Sequence, residues 1–189
     1  MDEIVSLFVL NNLHHEILTP IMVFVSNIAN TGLIWIILNS IIILYTAIRY
    51  KKLNLVCFVA LITLLLGWLI NDKVLKVLFN RPRPFTEIEE IRLFMESIGY
   101  TVSGASFPSG HSFSCMEQAV ILGGMNKKLG CFTVPFALLV AFSRIYLGAH
   151  YLTDVITGLC LGLLTAWLAN FIIRKIKNSP KFKTSKLFK

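Results

Sequence analysis

His150 and Asp154 lie four residues apart in a chain that otherwise carries few charges. On a helix this spacing puts them on one face, a turn from each other. A carboxylate that takes the proton of one imidazole nitrogen leaves the other as an oriented lone pair, and such a histidine can act as a nucleophile. His111, in the run Pro108-Ser109-Gly110-His111, is suited to protonate a leaving oxygen. The same run suits the start of a helix. Free backbone N–H groups there, together with the positive end of the helix dipole, form an anion site. Gly110 lets the backbone approach closely, and Ser109 adds a hydroxyl. Lys76, Arg83 and Arg144 supply positive charge, and the arginine fork matches phosphate oxygens. The chemistry these residues fit is phosphoryl transfer. His150 attacks phosphorus, the leaving group takes a proton from His111, and water hydrolyses the phosphohistidine.

Each piece also has a plainer reading. A His–Asp pair at this spacing is often a surface helix pair. Lys76 has Asp72 four residues before it and can simply pair with it. Arg81 and Arg83 can serve as interface anchors whose stems lie along apolar surface, and Arg81 has a second option in contacting substrate or lipid headgroups. Glu117 and Gln118 read as buried polar residues satisfied inside a helix bundle. His14 and His15 read as interfacial polar residues rather than ligands. Yet the candidate groups converge, falling at four helix ends on one side of the molecule.

The elements that must position them are membrane helices. The chain has 189 residues, 56% hydrophobic and 15% charged, with a mean hydropathy of +0.72. Soluble domains carry about 25% charged residues. Five apolar stretches approach the roughly 20 residues needed to span a bilayer: Thr31–Ile48, Leu53–Ile70 with a helical continuation to Phe79, Pro108–Met125, Leu129–Gly148 with a kink at Pro135, and Tyr151–Ile173. Residues 1–30 hold Asn11, Asn12, His14, His15 and Glu16, which are costly at membrane depth. They are expected to form an interfacial helix interrupted near Pro20. The fold class expected is therefore all-α, a polytopic helical bundle of about five spans plus that interfacial helix, in a single domain. The bundle covers 31–173, the polar loop 80–107 includes a short helix near Glu87–Glu96, and the tail 174–189 is basic and flexible. No cleavable signal peptide is evident. Cys57, Cys115, Cys131 and Cys160 all lie in apolar runs and read as buried small hydrophobes, with no disulfide or metal spacing.

Alternation of five helices gathers twelve of the eighteen lysines and arginines on one side. The positive-inside rule places that side in the cytoplasm. The 80–107 loop and the candidate site then face outward, beside the membrane surface, where the phosphate of a lipid is the natural partner.

In its motifs the chain resembles the type 2 phosphatidic acid phosphatase family of membrane lipid phosphatases. Three blocks occur in order: Lys76, six residues, Arg83-Pro84; Pro108-Ser109-Gly110-His111; and Ser143-Arg144, five residues, His150, three residues, Asp154. Eleven specified positions match. The resemblance implies a histidine nucleophile at His150, oriented by Asp154, with His111 as the acid. It implies phosphate binding by Lys76, Arg83, Ser109, Gly110 and Arg144, and catalysis without metal or cofactor. Many bacterial members have six spans, one more than expected here. The substrates implied are lipid phosphates, with undecaprenyl pyrophosphate favoured and phosphatidylglycerol phosphate or phosphatidic acid next. Vanadate haloperoxidases use the same residues but are soluble. A non-enzymatic lipid-phosphate binder or transporter is the other alternative, and it has no use for a nucleophile.

Overall fold

A backbone in lipid must satisfy its own hydrogen bonds, and apolar runs between short basic connectors do so as helices. The computed structural model describes residues 1–184 and 187–188. It is helical, with α1 Asp2–Leu13, α2 Leu18–Ile28, α3 Leu33–Tyr50 and α4 Leu55–Ile70. A π-helical turn, Asn71–Leu75, then leads into α5 Lys76–Phe79. After it come α6 Pro84–Glu87, α7 Glu89–Ser97, α8 Gly110–Met125, α9 Lys127–Tyr146, α10 Leu152–Asn178 and α11 Pro180–Lys183.

The protein is a multi-pass membrane bundle. Among the described residues four helices are long and apolar enough to cross a membrane: α3, the run that begins with α4, α9 and α10. The remaining expected span, α8, is shorter. Its 16 residues reach about 24 Å. It is central, packed on α4, α9 and α10, so its length answers to protein neighbours rather than to lipid. The tightest seam is between α8 and α10. A Cβ on Gly158 would lie 2.5 Å from the Ser109 carbonyl oxygen, and one on Gly162 would lie 2.5 Å from that of Phe113. These two glycines, four apart, let the helix backbones touch, as small residues do in membrane interfaces.

The expected continuation from Ile70 to Phe79 is present. Its π-helical turn widens the helix just before Lys76, which changes the face on which Lys76 emerges. Asn54 caps the start of α4 through Cys57 N–H at 3.2 Å. The expected short helix in the polar loop is α7. It buries Ile91 and Met95, four apart, and turns Arg92 outward to pair with Glu89 and Glu96.

The N-terminal segment breaks earlier than expected. The break lies at 14–17, and Pro20 sits in the first turn of α2, where its missing N–H costs nothing. The two pieces, of 12 and 11 residues, are each too short to cross a hydrocarbon core of roughly 30 Å. They lie against the end of the bundle that carries the candidate site. Asp2 meets Arg81, His14 Nε2 donates to the Tyr146 carbonyl at 2.7 Å while its ring stacks on Phe94, and the Ser26 and Tyr100 hydroxyls bond at 2.8 Å. Val9 and Met22 share an apolar cluster with Ile91, Met95, Tyr146 and Leu147.

Three further expectations need correction. Cys57 and Cys115 are buried, but Cys131 and Cys160 are exposed on the outer surface of the bundle. An apolar run in a membrane helix has a lipid side as well as a core side, so burial in protein does not follow from apolar neighbours. Gln118 is satisfied, donating to the Ala60 carbonyl and accepting from Asn39, whereas Glu117 keeps one carboxylate oxygen without a partner among the described residues. The basic tail is not uniformly flexible. Helix α10 runs to Asn178, and its lysines favour the negative end of the helix dipole. Further on, the Leu53 N–H donates to the Leu187 carbonyl at 2.7 Å. Ser185, Lys186 and Lys189 of that tail lie outside the described residues.

Candidate active site

Four chain segments meet at the site end of the bundle: the connector after α5, the start of α8, the end of α9 and the start of α10. His150 sits on the turn between the last two and is 2% exposed. The turn closes tightly, with the Ala149 and His150 N–H groups both donating to the Arg144 carbonyl at 3.1 and 3.2 Å. It requires Gly148, which adopts φ +68 and where a Cβ would lie 2.3 Å from Ile91. So α7 of the loop presses directly on the turn that presents His150.

The two nitrogens of His150 face different surroundings. Nε2 is 3.3 Å from Arg83 Nη1. An arginine can only donate, so Nε2 is the acceptor and the ring proton sits on Nδ1. Nδ1 in turn is 3.5 Å from Ser106 Oγ and 3.7 Å from Asp154 Oδ2. The expected His–Asp pair is therefore close but beyond hydrogen-bond distance. Ser106 sits between, donating to Asp154 Oδ2 at 2.5 Å. Asp154 is fully buried and well supplied. Its Oδ2 also accepts from Tyr151 N–H at 2.9 Å, and its Oδ1 from Arg81 Nη1 at 2.6 Å. It completes a capping box at the start of α10, so it holds the helix end as well as facing the histidine. Burial holds the His150 imidazolium well below the usual histidine range. Asp154 opposes this, while Arg144 and Arg83 reinforce it. The ring is thus neutral at neutral pH, with its Nε2 lone pair turned toward Arg83.

Arg83 is 5% exposed, and its donors are spoken for. Nε donates to the Gly104 carbonyl at 2.7 Å, Nη1 to that of Ala149 at 2.8 Å, and Nη2 to those of Ser103 at 2.8 Å and Ala105 at 3.3 Å. It ties residues 103–105 of the loop to the His150 turn and brings a positive charge to Nε2. Burial, reinforced by Arg144, lowers it to about 10, so it stays charged at neutral pH.

Arg144, 2% exposed, donates from Nη1 to the hydroxyls of Ser26 and Tyr100. Its Nε has no partner among the described residues, and the same holds for His111 Nε2 and Asn71 Oδ1. Buried polar atoms are rarely left unpaired, and these three belong to α9, α8 and the π-helical turn, which converge here. Arg144, His150, Lys76 and Arg83 all act electrostatically on His111. Ser109 is the N-cap of α8, its Oγ accepting from the Ser112 hydroxyl at 3.0 Å. Gly110 does permit a close approach, but by Asn71 Nδ2, 3.1 Å from where a Cβ would be. Lys76 Nζ pairs with Asp72 at 2.6 Å, the plainer of its two readings, and stays partly exposed beside the site. Arg81 is likewise engaged, with Asp154, Asp2 and Thr153.

The site thus gathers His150, Asp154, His111, Arg83, Arg144, Ser109 and Gly110, with Lys76 at its margin. Ser106, Tyr100, Ser26, Asn71 and Asp2 went unnoticed in the sequence. Ser106 and Tyr100 are ordinary members of a polar loop, and Ser26 and Asp2 lie far from the motif blocks, so only their contacts mark them.

Residues 52–177 match the PAP2 superfamily. The chain is 32% identical over 155 residues to undecaprenyl-diphosphatase BcrC of Bacillus subtilis, covering 82% of this chain and 75% of that one. It is 35% identical over 117 residues to phosphatidylglycerophosphatase B of the same organism, covering 56% and 53%. Among solved structures, a transmembrane PAP2 type phosphatidylglycerolphosphate phosphatase from Bacillus subtilis superposes with a TM-score of 0.75 at 27% identity, covering 94% of this chain and 86% of that one.

Proposed function

The chain belongs to the PAP2 superfamily of lipid phosphatases, and from that premise we propose that it removes the terminal phosphate of a lipid pyrophosphate or phosphate monoester through a phosphohistidine on His150. The observation that carries the reading is the two-sided setting of His150. Its Nε2 lone pair faces the cationic side of the site, and Nδ1–H faces Ser106 and Asp154.

In the first step the Nε2 lone pair attacks phosphorus and the bond from phosphorus to the leaving oxygen breaks. His111 delivers a proton to that oxygen, so the alcohol or phosphate departs neutralised by one charge. The ring of His150 becomes cationic, and its charge is met by Asp154 through Ser106. Arg144 and Lys76, with the first N–H groups of α8, hold the phosphoryl oxygens, while Arg83, whose own donors are engaged, contributes its positive charge beside them. In the second step water attacks phosphorus, His111 takes its proton, and the P–N bond breaks to release phosphate. A phosphate between these cations would also give Arg144 Nε and His111 Nε2 the partners they otherwise lack.

The substrate favoured is undecaprenyl pyrophosphate. The similarity to a protein named undecaprenyl-diphosphatase extends over most of both chains, whereas that to phosphatidylglycerophosphatase B covers about half of each. Phosphatidylglycerol phosphate and phosphatidic acid come next. The lysine and arginine distribution supports an outward-facing site. The whole chain acts as one membrane phosphatase domain: an interfacial segment 1–30, the bundle 31–173 with the 80–107 loop outside, and the basic end 174–189 in the cytoplasm.

The test is phosphate release by detergent-purified protein, in excess EDTA, from the three lipids in parallel. Release should survive EDTA, be fastest from undecaprenyl pyrophosphate and vanish in His150→Ala. Binding of the lipid without release would favour a binder or transporter, and release by His150→Ala would remove the phosphohistidine. Another ranking would replace the substrate and leave the mechanism standing.

A further inference from the structure

Arg81 lies outside the eleven motif positions, yet it makes a direct contact with the dyad. We propose that Arg81 is a positioning residue for Asp154, and that Asp2 of α1 completes the device by balancing its charge. The inference rests on His150 being the nucleophile.

The two oxygens of Asp154 are held differently. Oδ2 accepts from Ser106 and from Tyr151 N–H, and Oδ1 accepts from Arg81 Nη1 at 2.6 Å. Arg81 therefore decides the rotation of the carboxylate, and with it the place of Ser106 beside His150 Nδ1. The guanidinium is itself fixed from three sides. Nη1 also donates to Thr153 Oγ1 at 2.7 Å, Nη2 donates to Asp2 Oδ2 at 2.8 Å, and the group lies over the Tyr151 ring at 4.2 Å. Asp2 in turn accepts from Thr153 N–H at 3.3 Å and from its hydroxyl at 2.5 Å. This geometry points the fork at carboxylates rather than at phosphate.

Charge explains why Asp2 is needed. Arg81 alone would cancel Asp154 and leave the cationic His150 of the first step without a counter-ion. With Asp2 the cluster carries one net negative charge, which offsets that cation. Burial would lower Arg81, but Asp2 and Asp154 hold it above its ordinary value, so the cluster keeps this balance across the working pH range. The other charged or titratable groups around the pair are Arg83 from the connector, Lys76 from α5, His111 from α8 and Arg144 from α9, with Tyr151, Glu3 and Glu87 beside Arg81. All of them stay in place in the variants below.

The consequence is a pair of opposite shifts. Arg81→Gln makes the cluster more negative, so His150 is protonated more easily and the acid limb of kcat/KM moves to higher pH, by roughly 0.5–1 unit for a partly screened charge. Asp2→Asn makes it less negative, and the limb moves to lower pH by a smaller amount. Both variants should lose about tenfold or more in kcat, with KM little changed, while Arg81→Lys should leave the limb where it is. A residue that merely braced the fold would move activity without moving the limb in opposite senses.

The experiment is the pH dependence of phosphate release from undecaprenyl pyrophosphate by the full chain in detergent, for the wild type and these three variants, with His150→Ala alongside. Limbs ordered Arg81→Gln above wild type above Asp2→Asn are the expected result. Coincident limbs, or shifts in the same sense, overturn the proposal while His150→Ala is inactive. An active His150→Ala removes instead the nucleophile on which the inference rests. Should Arg81→Gln fail to fold, Asp2→Asn decides alone: a downward limb is expected, and an unmoved one overturns the inference.

Discussion

Gly158→Ala should disable the site although residue 158 lies outside the motif blocks and a full turn beyond Asp154. The added methyl would stand 2.5 Å from the Ser109 carbonyl oxygen, 3.1 Å from Ser112 Cβ and 3.2 Å from Phe113 N, where ordinary contact begins at 3.4 Å. The obstacle is backbone at the start of α8, which cannot rotate away. Reaching ordinary contact moves α8 off α10 by roughly 0.9 Å, and a displacement near 1 Å costs a reaction about a hundredfold when it separates the reacting groups. Here it separates His111, on α8, from Asp154, on α10. Overpacking should also cost about 1–3 kcal/mol of stability. Gly124→Ala at the other end of α8 is the control, because its added methyl meets Asn170 Oδ1 at 2.8 Å, the end of a side chain that can turn aside. Phosphate release and thermal unfolding in detergent should show Gly158→Ala slow and destabilised, and Gly124→Ala close to wild type. Full activity in Gly158→Ala, with an unchanged unfolding temperature, would refute the claim that this seam sets the distance between acid and dyad.

Ser106→Ala removes a hydroxyl bonded to a buried carboxylate, a loss of about 1.5–3 kcal/mol. It should lower kcat roughly 10–100-fold with KM nearly unchanged, since Ser106 faces Asp154 and not the phosphate; steady-state kinetics showing an intact kcat would sink the bridging role. His111→Ala should depress turnover of a lipid phosphate far more than that of p-nitrophenyl phosphate, whose leaving group needs no proton; equal losses on both would contradict the acid assignment. Because burial holds His150 below its ordinary value near 6.5, the neutral nucleophile should persist into mildly acid solution. The acid limb of kcat/KM on a substrate already ionised there should fall below pH 6.5, and a limb at or above that value would contradict the buried, neutral ring.

Much of the site was legible because its chemistry is local in sequence. His150 and Asp154 do face each other, although His150 sits on the turn before α10 and not on the helix as expected, and Ser109 caps α8 where a helix start was expected. Arg144 and Arg83 are buried, as membrane-depth charges with a purpose should be. Most partners of these groups were not legible, and for Lys76 both Asp72 and a phosphate stood open. Lys76 turned out to hold Asp72, and Arg83 spends its donors on the carbonyls of residues 103–105 and 149. Neither preference can be read from the residue alone, since a lysine or arginine suits a phosphate, a carboxylate or a carbonyl equally well. The fold followed the same division. Apolar length located the helices, yet it could not tell that α8 is central, or that Cys131 and Cys160 face outward, because lipid and protein core are alike in polarity.

By itself the sequence determined that this is a helical membrane protein of the PAP2 superfamily, because hydropathy over helical lengths and eleven positions at set spacings are properties of the chain in one dimension. The tertiary structure alone decided that Ser106 stands between His150 and Asp154, that Ser26 and Tyr100 hold Arg144, and that Asp2 reaches Arg81 across 79 positions of sequence. Those contacts depend on which helix backbones can approach and which turns can form. That was settled by Gly158 and Gly162 against α8 and by Gly148 under Ile91, where the absence of a side chain is what lets the site close.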